Sequence, residues 1–187
     1  MPPPNARRRE QLADAAVTVL AAHGSRGLTH RAVDTAADVP AGTTSRYFRT
    51  REALVDAVVE RITRRLADRV AAVRIRPLER ADLEDALVTT LTRMLDEDDV
   101  LVLFELHLEA TRDPALRGVL TAALAERRDL ILRQCRVAGV DVTGEDAELL
   151  EMGVLGILFT TLTTDAPGGP GPRVRAAVGG LLSRYAA

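Results

Sequence analysis

Residues 28–54 read LTHRAVDTAADVPAGTTSRYFRTREAL. Two short helical segments lie within them. The first opens on Thr29 as N-cap and carries Ala32, Val33 and Ala36; the second opens at Pro40 or Ala41 and ends near Phe48. Asp38-Val39-Pro40 breaks the pattern between them. Each segment is well below the ~12–15 residues at which an isolated helix becomes even marginal in water. They must therefore pack on each other and on the preceding helix, through Leu12, Val19, Leu28, Val33, Val39 and Phe48. Two short packed helices joined by a tight turn make a helix-turn-helix. The outward side of the second is small and hydrogen-bonding: Gly42, Thr43, Thr44, Ser45 and Arg46. Small residues let a backbone approach a groove, hydroxyls bond phosphates or bases, and Arg binds phosphate or guanine.

Working outward, the segment from about Asn5 to His23 puts Leu12, Ala16, Val19 and Leu20 on one face, and Gly24 stops it. After the helix-turn-helix, Thr50 caps a helix with Glu52 placed against its N-terminal dipole. That helix runs through Leu54, Val58, Ile62, Leu66, Val70 and Val73, roughly 35 Å at ~1.5 Å per residue, and ends before Pro77. Beyond it, Leu83, Leu87, Leu91 and Met94 form a stripe. The acidic run Asp96-Glu97-Asp98-Asp99 suits a helix N-terminus and marks a break. Val100 to Arg112 is ambiguous, since Leu106-His107-Leu108 alternates like a strand, but its length and the lack of a partner strand favour a buried helix. Asp113-Pro114 gives an N-cap followed by proline at the first helical position. Leu116, Leu120, Ala123, Leu124, Leu130 and Ile131 follow, closed by Gly139. Thr143 with Asp146 approximates a capping box for a helix through Thr164. Pro167 to Pro172 reads as a loop before a last amphipathic helix carrying Val174, Val178, Leu181, Leu182 and Tyr185. The class is all-α, with about nine helices.

The chain has 187 residues and a net charge of −2. That length holds one good core, or a small head and a larger body. The charge is unevenly spread: residues 1–66 hold eleven Arg and seven Asp/Glu, a balance of +4, and residues 67–187 a balance of −6. A basic head suits a polyanion partner. The single cysteine, Cys135, cannot form an internal disulfide and offers no metal-ligand pair; it reads as a small core residue. Met1 to Arg9 has no apolar signal-peptide core, and Met152 to Thr164, the longest uncharged apolar stretch, has 13 residues, short of the ~20 that span a membrane. A soluble, cytoplasmic protein is expected. No phosphate loop, nucleophile motif or metal-ligand spacing is present, and His23, His30 and His107 lie on three separate helices. Neither an enzyme nor a cofactor is expected. Arg7-Arg8-Arg9 is either a basic arm for DNA or a solvated charge run, and His23 suits the C-terminal dipole of the first helix.

The residues of the helix-turn-helix resemble the TetR family of bacterial transcriptional regulators. The family pattern is Thr-x-Arg at the start of the second helix, an Ala-Ala-Gly-Val-Ser turn, Gly-Thr-Leu-Tyr-x-Tyr-Phe, then a capped Lys-Glu-x-Leu. Here the counterparts are Thr29-His30-Arg31, Ala36-Ala37-Asp38-Val39-Pro40, Gly42 to Phe48 and Arg51-Glu52-Ala53-Leu54. The close resemblance covers about residues 7–62. It implies that Gly42 to Tyr47, with Ala41 beside them, form a recognition helix in the major groove. It also implies that Thr29, His30 and Arg31 touch the DNA backbone and that Arg51 replaces a phosphate-binding Lys. Three departures stand out. Asp38 replaces the turn glycine, which Asp tolerates in the left-handed region. Pro40 replaces a capping Ser, and Ser45 stands where a phosphate-contacting Tyr is common, a contact that Tyr47 can take over.

Residues 1–50 thus read as a DNA-binding head and residues 51–187 as a ligand-binding and dimerisation body. Met94, Phe104, His107, Leu108, Met152, Leu155 and Phe159 line a ligand cavity or pack an ordinary core; His107 is the strongest single candidate, and the resemblance implies that its helix borders an inducer pocket. Glu105, Glu109 and Arg112 have the spacing of helix-face ion pairs. A helix apolar on all faces must be covered on all faces. Leu149, Gly153, Leu155 and Gly156, with Val178, Leu181 and Leu182, therefore read as a four-helix interface between two copies. Two-fold symmetry implies two recognition helices about 34–36 Å apart on a palindromic operator. A small-molecule inducer in the body would move the long helix from Thr50 and release the repressor from double-stranded DNA. The other readings are a transcription activator of the same architecture, and a helical small-molecule-binding protein that no longer reads DNA, which Ser45 and Asp38 would fit.

Overall fold

The computed structural model describes residues 4–72, 80–137, 142–165 and 167–183. Among them every regular element is a helix: α1 (Pro4–Gly27), α2 (His30–Ala36), α3 (Thr43–Tyr47), α4 (Arg51–Ala72), α5 (Arg80–Leu95), α6 (Asp99–Ala110), α7 (Pro114–Val137), α8 (Gly144–Thr163) and α9 (Pro170–Leu182). Val73, Gly139 and Tyr185, and the side chains of Val70, Leu83 and Cys135, lie outside the described residues. None of the described helices is long and apolar enough to cross a membrane.

Local chemistry sets most of these ends. Gly24 breaks α1 with φ 64° and ψ −177°, and one further turn reaches Gly27. The ambiguous stretch after Val100 is helical, with Val100, Val102, Leu103, Leu106 and Ala110 buried along one side. Asp113 Oδ1 accepts from the Ala115 and Leu116 N–H groups, so α7 is capped as its Asp-Pro opening implies. Thr143 and Asp146 form a reciprocal capping box on α8. The last loop is shorter than expected, because Pro170 is already the first residue of α9.

The chain packs as two compact units, and the division does not fall at residue 50. One unit comprises α1 to Leu66 of α4 together with Asp98–Leu124; the other comprises Ala67–Glu97 and Ala125 to the end of α9. The helix-turn-helix shares its unit with α6, because α1 packs on α6 as well as on α2. In the first unit Leu12, Val17, Leu20, Leu28, Val33, Phe48, Leu54, Val58, Ile62, Val100 and Leu106 are all essentially inaccessible to water. At ~1.5–3 kcal/mol for each large side chain, this shared core is what holds the short α2 and α3 in place. Ion pairs tie the same helices at their edge. Arg61 and Arg65 both bind Asp14 of α1, and Arg65 Nη1 also bonds the buried Asp99 at 2.6 Å. Burial pushes the Asp14 carboxyl up, but the hydrogen bonds and charges of the two arginines outweigh it and hold its pKa below the ordinary aspartate value.

In the second unit α9 packs on α5 and α8, around Val88, Leu91, Met94, Ala147, Leu158, Val174, Val178 and Leu182. Glu151 of α8, also buried, is held by Arg127 and Arg128 of α7. Two interface expectations are corrected here. Val178 and Leu182 are 1% and 6% exposed inside their own unit, so they are core residues. Gly153 does permit a close crossing, but within one chain: a Cβ there would lie 2.8 Å from Leu181 Cδ1. Nor is α8 covered on all faces, since Leu149, Met152 and Phe159 are 44%, 60% and 49% exposed.

Phe48 follows α3 and fills the junction of the first unit. Phe48→Ala should cost about 3–5 kcal/mol of unfolding free energy, read as a lowered denaturant midpoint, whereas Leu108→Ala at the 62% exposed Leu108 should stay within about 0.5 kcal/mol.

Candidate nucleic-acid interface

The helix-turn-helix is built from its caps. Thr29 is extended (φ −126°, ψ 153°), and its hydroxyl accepts from the Ala32 N–H, which starts α2. Asp38 turns the chain at φ 52°, a left-handed conformation that a short polar residue adopts at modest cost. Pro40 is not the first helical residue. Its carbonyl accepts from both the Thr43 N–H and the Thr43 hydroxyl, and Gly42 at φ 84° is the N-cap of α3. Glycine suits that backbone but brings no side chain to cap with.

The cap comes instead from Asp34 of α2. Its carboxylate accepts from the Gly42 N–H (2.7 Å), the Thr44 N–H (2.7 Å) and the Thr44 hydroxyl (2.5 Å). Asp34 is 4% exposed and Thr44 fully buried. Burial pushes the Asp34 carboxyl up; the bonds from Thr44 and Gly42 and the nearby His30 ring outweigh that and hold its pKa below the usual carboxylate value. Thr44 is therefore corrected: it faces Asp34, not outward, because its hydroxyl completes the cap.

The far end of α3 is held as firmly. A ring N–H of His30 (Nε2) donates to the Phe48 carbonyl at 2.7 Å. Arg9 lies over the Phe48 ring, 4.5 Å from its centroid, and donates to the Tyr47 carbonyl. Gln11 reaches from α1 to the Ala37 carbonyl in the turn. His30 and Arg9 thus support the C-terminal end of α3. Tyr47 is half-buried, its hydroxyl 3.5 Å from Asn5 Oδ1.

What remains outward is compact. Ala41, Gly42, Ser45 and Arg46 are exposed, with Thr43 partly so, and Thr29 and Arg31 are exposed at the start of α2. The Thr43 hydroxyl donates to the Pro40 carbonyl and that of Ser45 to the Gly42 carbonyl, so each offers lone pairs and a small surface. Among the described residues no hydrogen bond or ion pair engages the guanidinium of Arg31, Arg46 or Arg49. Residues 39–51 contain no Asp or Glu, so α3 itself carries only positive charge, with exposed Asp38 in the turn before it.

Arg51 does not join that face. Its Nη1 donates to the Leu28 carbonyl (2.8 Å), and its Nη2 to the carbonyl and hydroxyl of Ser25 and to Glu109 Oε1 (3.0 Å). The guanidinium is thus engaged by groups of its own unit. Glu109 was expected only in a helix-face pair, yet it reaches across to α1 and α4.

The ligand candidates divide between the two units. Phe104, His107 and Leu108 lie on α6 in the first; Met94, Met152, Leu155 and Phe159 lie in the second. Met94 is buried, Phe104, His107 and Leu155 are half-buried, and Leu108, Met152 and Phe159 are exposed. His107 Nδ1 donates to the Leu103 carbonyl at 2.7 Å. Its Nε2 is buried with no hydrogen-bond partner. In the neutral ring that nitrogen is an acceptor. Among the described residues no cluster of His, Cys, Asp or Glu could hold a metal ion.

Exposed, unengaged arginines on and beside a helix fixed at both ends fit a DNA-binding regulator of the helix-turn-helix class. Residues 12–58 match the family described as "Bacterial regulatory proteins, tetR family", and residues 78–184 match "Tetracyclin repressor-like, C-terminal domain". The chain belongs to the TetR family of transcriptional regulators, and is not an enzyme. It is 37% identical over 93 residues to the HTH-type transcriptional regulator BetI of Cronobacter sakazakii (strain ATCC BAA-894), a match spanning 50% of this chain and about half, 46%, of that relative. Among solved structures, the multidrug binding protein EbrR complexed with ethidium is similar at 31% identity, with 93% of this chain and 98% of that one covered and a TM-score of 0.71. A TetR-family member from Streptomyces coelicolor A3 is similar at 31% identity, with 93% and 97% covered and a TM-score of 0.73.

Asp34→Asn should destabilise the protein by about 1–3 kcal/mol at neutral pH, since the carboxylate's three charge-assisted bonds are weakened or lost. A depressed carboxylate pKa stabilises the fold above its unfolded value, near pH ~4, and that contribution is lost as pH falls through the lower folded value. The wild-type advantage, measured by urea unfolding across pH, should therefore shrink below about pH 4.

Proposed function

We propose that this regulator is a cytoplasmic dimeric repressor that leaves a palindromic operator when a small molecule binds. The observation that carries the DNA reading is the outward face of α3: Arg46 is exposed and unengaged, and the neighbouring Ala41, Gly42, Thr43 and Ser45 are small enough for close approach to base edges. Arg46 is the donor suited to the O6 and N7 of a guanine in each half-site. Thr29, Arg31 and Arg49 would take phosphates, and Tyr47 would flank the groove.

Dimerisation is proposed through α8. Leu149, Met152, Gly156 and Phe159 follow at intervals of three and four, which places them on one helical face. Leu149, Met152 and Phe159 are exposed, and no atom lies within 4 Å of a Cβ built on Gly156. Such a stripe supports close packing against a second copy, with half-buried Leu155 and Leu181 at its margin. The inducer reading is supported by the small-molecule complexes of EbrR and by the unpartnered Nε2 of His107. A ligand there would offer an N–H or O–H donor. Bound ligand would alter the setting of α4 and so the spacing of the two α3 helices, and by linkage the operator would weaken ligand binding by the same factor.

Binding to DNA flanking its own gene should fall steeply with salt. Arg46→Ala should cost about 1–3 kcal/mol on the preferred sequence and relax discrimination at one base pair per half-site; unchanged affinity and preference in a competition gel shift would count against α3 as the reader. Met152→Glu should give monomers by sedimentation, and a variant that stays dimeric would remove α8 from the interface.

A further inference from the structure

One network in the first unit joins parts of the chain that are far apart in sequence. Glu109, near the C-terminal end of α6, uses both carboxylate oxygens. Oε2 accepts from the Ser25 hydroxyl at 2.6 Å, and Oε1 accepts from Arg51 Nη2 at 3.0 Å. Ser25 lies between the break in α1 at Gly24 and the start of α2, and Arg51 is the first residue of α4. Arg51 also binds the carbonyls of Ser25 and Leu28, so the guanidinium satisfies chain ends that the turn of α1 leaves open. Leu28 directly precedes Thr29, the N-cap of α2. The path from α6 to the entrance of the helix-turn-helix is thus two side chains long, Glu109 to Arg51 or Ser25, and then the backbone before α2. The Glu109 side chain is 22% exposed and that of Arg51 41%, so neither is a freely solvated surface charge.

We propose that Glu109 is a positioning residue for DNA binding: through Ser25 and Arg51 it fixes the segment that enters α2, so that the setting of α6 determines how α2 and α3 are presented. This rests on the reading that α3 binds DNA, but the latch itself can be tested without DNA. Arg51 acts here as an internal clamp and contributes no phosphate contact. His107 lies two residues before Glu109 on the same short helix, so a group bound at its free Nε2 would act on the helix that carries the latch.

The test compares full-length wild type with Glu109→Gln, Ser25→Ala, Arg51→Met and the Glu109→Gln/Arg51→Met pair, and has two arms. In amide hydrogen exchange, each single variant should lose protection selectively in residues 25–36, while the amides of α8 and α9 stay as in wild type. In DNA binding, using duplex flanking the gene, Glu109→Gln and Arg51→Met should each weaken affinity about tenfold. The slope of log affinity against log salt should remain unchanged, and the pair should be no weaker than the worse single variant. Ser25→Ala, the mildest change, should show the same pattern in smaller measure if the others fold poorly. Wild-type protection and affinity in Glu109→Gln would overturn the proposal. So would a salt slope reduced by about one in Arg51→Met, since that marks a lost phosphate contact. If wild type binds no DNA, the repressor reading fails, and the exchange arm alone decides the latch.

Discussion

A five-residue helix cannot hold itself together, and α3 exists because a buried carboxylate from the neighbouring helix caps it. Forming one helical turn fixes several dihedral angles for a single hydrogen bond, and the N-cap of α3 is a glycine with nothing to offer its free N–H groups. Asp34 makes up the deficit with three bonds, two to N–H groups and one to a hydroxyl. The cost of burying that charge is offset because every bond it receives favours the ionised form. With the other end pinned by His30 and Arg9, α3 presents its outer face without having to order itself on binding, which keeps the entropic cost of association low.

The same economy runs through the first unit. Its polar side chains serve mainly to place backbone: Gln11 on the turn, Arg51 on the end of α1, Thr29 and Asp113 on helix starts. Among the described arginines of the first unit, Arg31, Arg46 and Arg49 beside α3, together with Arg7, Arg26 and Arg112, carry no side-chain hydrogen bond or ion pair and stay available to a polyanion. The basic balance of residues 1–66 is therefore less a measure of DNA contact than it first suggests, because Arg9, Arg51, Arg61 and Arg65 are spent internally.

Much of the fold was legible from local chemistry. Gly24, Thr29, Asp113-Pro114 and the Thr143/Asp146 pair each mark an end that the structure keeps, because caps and breaks depend on near neighbours. Tertiary roles were not legible. Asp34 looks like a solvated helix residue in sequence, and nothing in its neighbours says that α3 will bring two N–H groups to it. Thr44 reads as one more hydroxyl on a polar helix, yet the ~100° between successive residues around a helix decides between facing outward and facing Asp34. Arg51 and Glu109 are 58 positions apart, beyond the reach of any periodicity. On α8 the all-round apolar composition calls for cover that α9 supplies in part, with Leu181 packed at Gly153, while Leu149, Met152 and Gly156 stay outward.

The central claim is that α3, held by Asp34 and flanked by free arginines, reads DNA as one of a symmetric pair. Enrichment of a random duplex pool by the full-length protein tests it most directly. The account predicts an inverted repeat with a guanine in each half-site and half-site centres about one helical turn, roughly 34–36 Å, or a multiple of it, apart. Recovery of no preferred sequence, or of a single unrepeated site bound by one copy, would contradict it.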